Sequence, residues 1–260
     1  MTSKNKPTEP RLIQSIQRAS NILDLFIGRK DAMGISDLAA ELKLPKTTIQ
    51  GIVTTLQELR FLEKDRHSAK YRLGTKLFQL GMSYATNLDI LTLARVWTER
   101  LCFKYGEPVN VGMLVGTQVV IIFRAEPDNR FMTFPQTGSL IPAHTAGIGK
   151  ILFAFMKEKK RESILANYQF EKLTDNSIDS LEKFREELTQ VREDGIAFDN
   201  EENFIGLKGI AAPVYNYTGQ VIAAFALSGN AQHIDSIRDE MISEVRETGK
   251  QISEQLGYTG

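Results

Sequence analysis

Between Ile35 and Leu73 the chain reads ISDLAAELKLPKTTIQGIVTTLQELRFLEKDRHSAKYRL: two short helix-periodic stretches around one proline, then two β-rich segments around a polar tip. Ser36 is placed to cap a helix whose apolar residues Leu38, Ala39 and Leu42 share one face. Leu44-Pro45 ends that helix, because a residue before proline avoids the α region. Pro45 suits the first turn of the next helix, where no backbone donor is required, and Ile49, Ile52, Val53, Leu56 and Leu59 recur at helical spacing to bury its inner face. Lys46, Thr47, Thr48 and Gln50 are then left at an exposed N-terminal end.

Phe61 to Lys64 and Lys70 to Leu73 form the strands of a hairpin whose tip carries Arg66 and His67. Helix, proline-marked turn, polar-fronted helix and basic hairpin, in that order, are the parts of a winged helix-turn-helix. Such a second helix enters the major groove, where Gln pairs with adenine, Thr meets base edges or the thymine methyl, and Lys reaches guanine or phosphate. A basic hairpin tip lies along the sugar-phosphate backbone or in the minor groove. Ser36, Pro45, Lys46, Thr47, Thr48, Gln50, Arg66 and His67 are therefore the candidate DNA-contacting residues, and double-stranded DNA is the expected partner.

Charge is distributed to match. The chain is neutral overall, but residues 1–76 hold 14 Lys and Arg against 8 Asp and Glu, while residues 77–260 hold 18 against 24. Only the N-terminal part suits a polyanion. With 260 residues, 42% of them hydrophobic, there is material for roughly two domains. No apolar run approaches the roughly 18 residues of a membrane helix. The opening MTSKNKPTEPR lacks the apolar stretch of a secretory signal and reads as a polar arm. The single cysteine, Cys102, excludes an intrachain disulfide, fits a reducing cytoplasm, and reads as a small buried residue of a helix.

Upstream, Ile13, Ile16, Ala19, Leu23 and Phe26 follow the helical period. Downstream, Leu73, Leu77, Leu80, Tyr84, Leu88, Leu91 and Ala94 keep a three-then-four spacing, which predicts a connecting helix with an apolar seam. Such a seam is either core packing or a contact between two chains. We read it as the latter, since a dimer doubles the contacts of a single winged module and reads a pseudo-palindromic site. From about residue 106 the period changes to short β-rich runs, Val109 to Val115, Val119 to Ala125, Ile210 to Tyr215 and Val221 to Leu227. Helical stretches lie between them, and a last helix carries Ile234, Ile237, Met241, Val245, Ile252 and Leu256 on one stripe. Strands, grouped helices and more strands indicate an α+β domain with a mainly antiparallel sheet.

Four segments together resemble the IclR (isocitrate lyase regulator) family of bacterial transcription factors over nearly the whole chain: Leu44-Pro45-Lys46-Thr47-Thr48-Ile49, Tyr71-Arg72-Leu73-Gly74, His144-Thr145-Ala146-Gly147-Ile148-Gly149-Lys150, and Asp199-Asn200-Glu201-Glu202 leading into Ala211-Ala212-Pro213-Val214. The resemblance implies a disordered arm over 1–10, a winged helix-turn-helix domain over 11–75, linking and dimerising helices over 76–105 and a GAF-like effector-binding domain over 106–260. It also implies a cytoplasmic homodimer or dimer of dimers, read here as a repressor, whose hold on operator DNA is set by a small organic or aromatic acid. The family pocket would be walled by Ala146, Gly147, Ile148, Asp199, Gly209, Ala226 and Ser228. Gly147 and Gly149 precede a helix, so backbone N–H groups there can meet a carboxylate, or the glycines merely allow a tight turn. Many relatives carry cysteine where this chain has Gly209 and serine where it has Ala226, which points to a roomier and less polar wall and a larger or more apolar ligand. Arg130 and Phe131, just before the pocket segment, are candidates for a cation and an aromatic lid.

Catalysis finds little support. Gly147-Ile148-Gly149-Lys150 lacks the upstream glycine and the following Ser or Thr of a phosphate loop, no GxSxG elbow is present, and His67, His144 and His233 are far apart in sequence. No cofactor or metal is expected. A winged-helix regulator whose C-terminal domain binds a protein instead of a metabolite is the alternative reading.

Overall fold

Apolar residues spaced three and four apart become the helices of an N-terminal unit in the computed structural model, which describes residues 12–27, 29, 31–65, 68–86, 89–127 and 135–260. Clustering of contacts divides the chain into two compact units, Met1–Asn87 and Leu88–Gly260. The first holds α1 (Gln14–Asp24), α2 (Ile35–Leu42), α3 (Lys46–Glu58), β1 (Leu62–Lys64), β2 (Tyr71–Leu73) and α4 (Thr75–Thr86). Its core joins Ile22, Phe26, Met33, Leu38, Ile49, Val53, Leu56, Leu62 and Tyr71. β1 and β2 pair antiparallel with Leu62 opposite Leu73, and an isolated bridge from Met33 to Tyr71 ties the chain before α2 to this wing.

Local details differ from the sequence-based expectation. Ile13 and Ile16 are each 64% exposed, because the buried stripe of α1 runs through Ile22 and Phe26. Leu59 follows the end of α3 and is 56% exposed, so the inner face of that helix stops at Leu56. The cap of α2 is Gly34, whose N–H donates to Asp37 Oδ2 at 2.9 Å; Ser36 lies inside the first turn. α2 ends on Lys43 in the left-handed region (φ 52°), an uncommon conformation for a side chain with a Cβ.

The second unit contains α5 (Asp89–Tyr105), β3 (Val109–Val115), β4 (Gln118–Ala125), β5 (Leu140–Pro142), a 3-10 turn (Ala143–Thr145), α6 (Gly147–Ala154), α7 (Glu158–Leu165), α8 (Leu181–Asp194), β6 (Ala197–Asn200), β7 (Leu207–Tyr215), β8 (Val221–Asn230), α9 (Ala231–Ser236) and α10 (Arg238–Gln255). The strands form one antiparallel sheet in the order β5-β4-β3-β8-β7-β6. This is an α+β architecture, with the four longer strands where the β-rich runs predicted them. The short edge strands β5 and β6 were not anticipated, and the last helix is broken at Ile237.

Alternation along the strands sorts side chains between two cores. Ala211, Ala224 and Ala226 face one layer with Ile148, Ile151 and Phe153 of α6 and Phe184 and Leu188 of α8. Ile210, Ala212, Phe225 and Leu227 face the other, with α5, α9 and α10. Met241, Val245 and Ile252 of α10 are fully buried, each contributing roughly 1.5–3 kcal/mol. Of the expected seam, Leu80 on α4 is 48% exposed, whereas Ala94 on α5 is buried among Ile90, Leu101 and Cys102 against the sheet. α5 covers the sheet with its own stripe of Ile90, Ala94, Leu101 and Cys102.

Candidate functional site

In the N-terminal unit, Pro45 is the cap of α3 rather than a residue of its first turn; its carbonyl accepts the N–H groups of Thr48 and Ile49. Lys46, Thr47 and Gln50 are exposed, whereas Thr48 is partly buried because it stands one turn before the partly buried Ile52. Gln50 Nε2 donates to Thr54 Oγ1 at 3.3 Å, an exposed bond within the helix that a base edge can replace. Bonds to the cap begin with the Thr48 N–H, which leaves the Lys46 and Thr47 N–H groups at the helix start beside the exposed Lys46 side chain, a combination that attracts phosphate. Ser36 is exposed on α2, and Arg66 and His67 lie outside the described residues.

In the second unit a cavity of about 350 Å³ opens on the sheet face that carries α6. Six of the expected wall residues line it: Ala146, Gly147, Ile148, Asp199, Ala226 and Ser228. Gly209 is absent from the lining but pairs with Asp199 on one side and Ser228 on the other. A Cβ on Gly209 would stand 2.9 Å from Ser228 Oγ, so the hydroxyl occupies the space a side chain there would need. Arg130 and Phe131 lie outside the described residues.

α6 is held tightly at this wall. A Cβ on Gly149 would lie 2.1 Å from the Ala143 carbonyl oxygen, which only glycine permits. Gly149 thus serves the close approach of helix to 3-10 turn, while Gly147 at the helix start borders the cavity. One residue on, the fully buried Lys150 donates to Glu187 Oε1 (2.8 Å), the Phe198 carbonyl (2.8 Å) and Glu202 Oε1 (2.6 Å), tying α6 to the turn after β6. The Glu202 N–H in turn donates to Asp199 Oδ1 at 2.8 Å. Burial raises the Asp199 carboxyl to about 7; the Glu202 N–H bond and the more distant Lys150 ammonium oppose the rise without cancelling it. His144, expected only as part of a segment, is buried between Tyr168 Oη and the Glu171 carbonyl, and burial lowers it toward the neutral form.

Several wall residues escaped the sequence reading, two of them polar and paired across the sheet. Arg124 of β4 and Asn110 of β3 are cross-strand partners, with Arg124 Nη1 donating to Asn110 Oδ1 at 3.0 Å. The signal was available as the lone charged residue in the apolar run Val119-Val120-Ile121-Ile122-Phe123-Arg124-Ala125. Among the described residues no group of three or more His, Cys, Asp or Glu side chains is arranged to hold a metal, and no helix is long and apolar enough to cross a membrane.

Two family models match the chain: the IclR helix-turn-helix domain over residues 15–66, and the bacterial transcriptional regulator IclR C-terminal domain over residues 82–254. The chain belongs to the IclR family of transcriptional regulators. Its curated IclR relatives include the HTH-type transcriptional regulator XynR of Escherichia coli, 33% identical over 95% of this chain and 98% of that one. The HTH-type transcriptional repressor AllR of Salmonella paratyphi A is 31% identical over 97% and 93%. Among solved structures, Thermotoga maritima IclR superimposes with a TM-score of 0.74 at 25% identity, covering 94% of this chain and 99% of that one. An IclR homologue from Microbacterium hydrocarbonoxydans, crystallised with 4-hydroxybenzoate, shares the fold with a TM-score of 0.82 at 21% identity, covering 93% and 98%. As an IclR protein this chain is a DNA-binding regulator and not an enzyme.

Proposed function

We propose that this IclR regulator is a cytoplasmic repressor whose hold on a pseudo-palindromic operator is weakened or strengthened by a small organic or aromatic acid bound in the cavity of the second unit. The observation that carries this reading is the cavity itself. It is about 350 Å³, within the ordinary range for small-ligand sites, and joins an Ala and Ile wall to the N-terminal turn of α6, where backbone N–H groups attract an anion. The repressor and the acid are supported by relatives, one named as a repressor and one crystallised with an aromatic acid. In the first unit, Lys46, Thr47 and Gln50 would read the groove, with Ser36, Pro45, Thr48, Arg66 and His67 beside it. Residues 76–105 would link the two functions and pair the chains into a homodimer or a dimer of dimers. Exposed Phe78, Leu80 and Met82 on α4 and Ile13 and Ile16 at α1 support an apolar contact of that kind.

The test is anisotropy of labelled fragments from the promoter beside the protein's own gene, titrated with the full chain with and without a panel of carboxylic acids. Binding should fall steeply with salt, and at least one acid should change the midpoint. A panel that neither shifts DNA binding nor raises the melting temperature would refute the effector.

A further inference from the structure

On the cavity face the sheet carries a continuous cross-strand row: Arg124 beside Asn110, then Ala226, Ala211 and Ala197. Arg124, Asn110 and Ala226 of this row line the cavity, whereas Ala211 and Ala197 are fully buried beneath Gly147 of α6. Arg124 is charged and its side chain is only 3% exposed, an expensive arrangement unless every donor is used. Glu126 Oε1 takes the Nε proton at 2.6 Å and Asn110 Oδ1 takes one from Nη1 at 3.0 Å, but the buried Nη2 amino group has no acceptor among the described residues. A buried guanidinium on a residue that lines the cavity, with one amino group unmet and the apolar Ala226, Ile121 and Ile148 in the same wall, is arranged for an acceptor that arrives with a ligand.

We propose that Arg124, oriented by Asn110 and Glu126, is the anion anchor of the cavity, with Nη2 taking a carboxylate oxygen of the effector and the wall residues Ala226, Ile121 and Ile148 taking its apolar body. This rests on the reading of the cavity as an effector site and adds the ligand's class: a singly charged carboxylate on an apolar frame. A multiply charged anion fits less well. Glu126 already balances the guanidinium, Lys208 is engaged by Asp235, and the walls also carry Asp199 and Glu107. The anchor lies on β4 and β3, so it complements the N-terminal turn of α6 as a second, independent point of orientation.

The experiment pairs charge with shape. The full chain is titrated by calorimetry with aromatic and short aliphatic monocarboxylates, benzoate and 4-hydroxybenzoate among them, and with the primary carboxamide of each. The acids that bind should do so about ten- to a hundred-fold more tightly than their amides, the scale of a charge-assisted hydrogen bond in a buried site. That preference should vanish in the double variant Arg124→Gln with Glu126→Gln, which removes both charges together, and persist in part in Arg124→Lys. Thermal melting and DNA retention confirm that each variant is folded. If the double variant does not fold, the wild-type comparison and Arg124→Lys decide. Equal binding of acid and amide, or a preference that survives in the folded double variant, overturns the anchor while leaving the effector site standing. Failure of every compound of both kinds overturns the effector reading and the anchor with it.

Discussion

A few side chains at each site carry distinct chemical roles, and each can be separated by substitution. Lys46 stands exposed where α3 begins and Gln50 one turn further, so on the proposed reading they would meet different parts of a duplex. Changing Lys46 to Ala should weaken binding across all sequences and lower the slope of log affinity against log salt by about 1, measured by anisotropy at several salt concentrations. Changing Gln50 to Ala should leave that slope and relax preference at one base pair, by about 1–3 kcal/mol in a competition assay against single-base variants. In the second unit Asp199 contributes the pH dependence. Its carboxyl titrates near 7 in the folded protein against an ordinary 3.8. Between those values the unfolded chain releases the proton while the folded one keeps it, so stability falls as pH rises through this window and levels off above it. Replacing Asp199 with Asn removes the penalty. Its gain in melting temperature over the wild type should be larger at about pH 8 than at about pH 5; an equal gain at both would show that burial does not control this carboxyl.

Among the elements, α6 does the most to shape the cavity. It is short, buried along its whole length, and seated against the 3-10 turn through Gly149. Ala is the better helix former, yet Gly149→Ala should destabilise the protein by about 1–3 kcal/mol in urea unfolding, because a methyl 2.1 Å from the Ala143 carbonyl oxygen must push the helix away. The same displacement would move Gly147 and Ile148 at the cavity wall, so ligand affinity should fall along with stability. The longer strands were legible as β-branched runs, whereas β5 and β6 were not, since three or four residues give alternation too little length to stand out. The helical stripe read through Ile13, Ile16, Ala19, Leu23 and Phe26 holds at Ala19, Leu23 and Phe26, which meet the core, but not at Ile13 and Ile16, because periodicity does not say how far along a helix its neighbours extend.

At the scale of the molecule, the proposed function puts DNA reading in the first compact unit and ligand binding in the second, so control would pass through residues 76–105 or through contacts between chains. Phe78 is 71% exposed on α4. Phe78→Glu should shift sedimentation from dimer toward monomer and, with half-sites no longer read together, reduce operator affinity by a factor of ten or more on the order of magnitude expected for lost avidity. An unchanged sedimentation profile would place the contact between chains elsewhere. Two levels of organisation therefore answer to different information. Helix, turn and wing were readable in the chain alone because caps, proline and three-four spacing act within a dozen residues, and the groove-facing side chains follow directly from them. The cavity was not. Asn110 and Ala226 are neighbours only because β3 pairs with β8, and Arg124 joins them only through β4. Linear spacing carries no record of which strands adjoin, so the guanidinium with an unmet donor becomes visible as a site only once the sheet has closed around it.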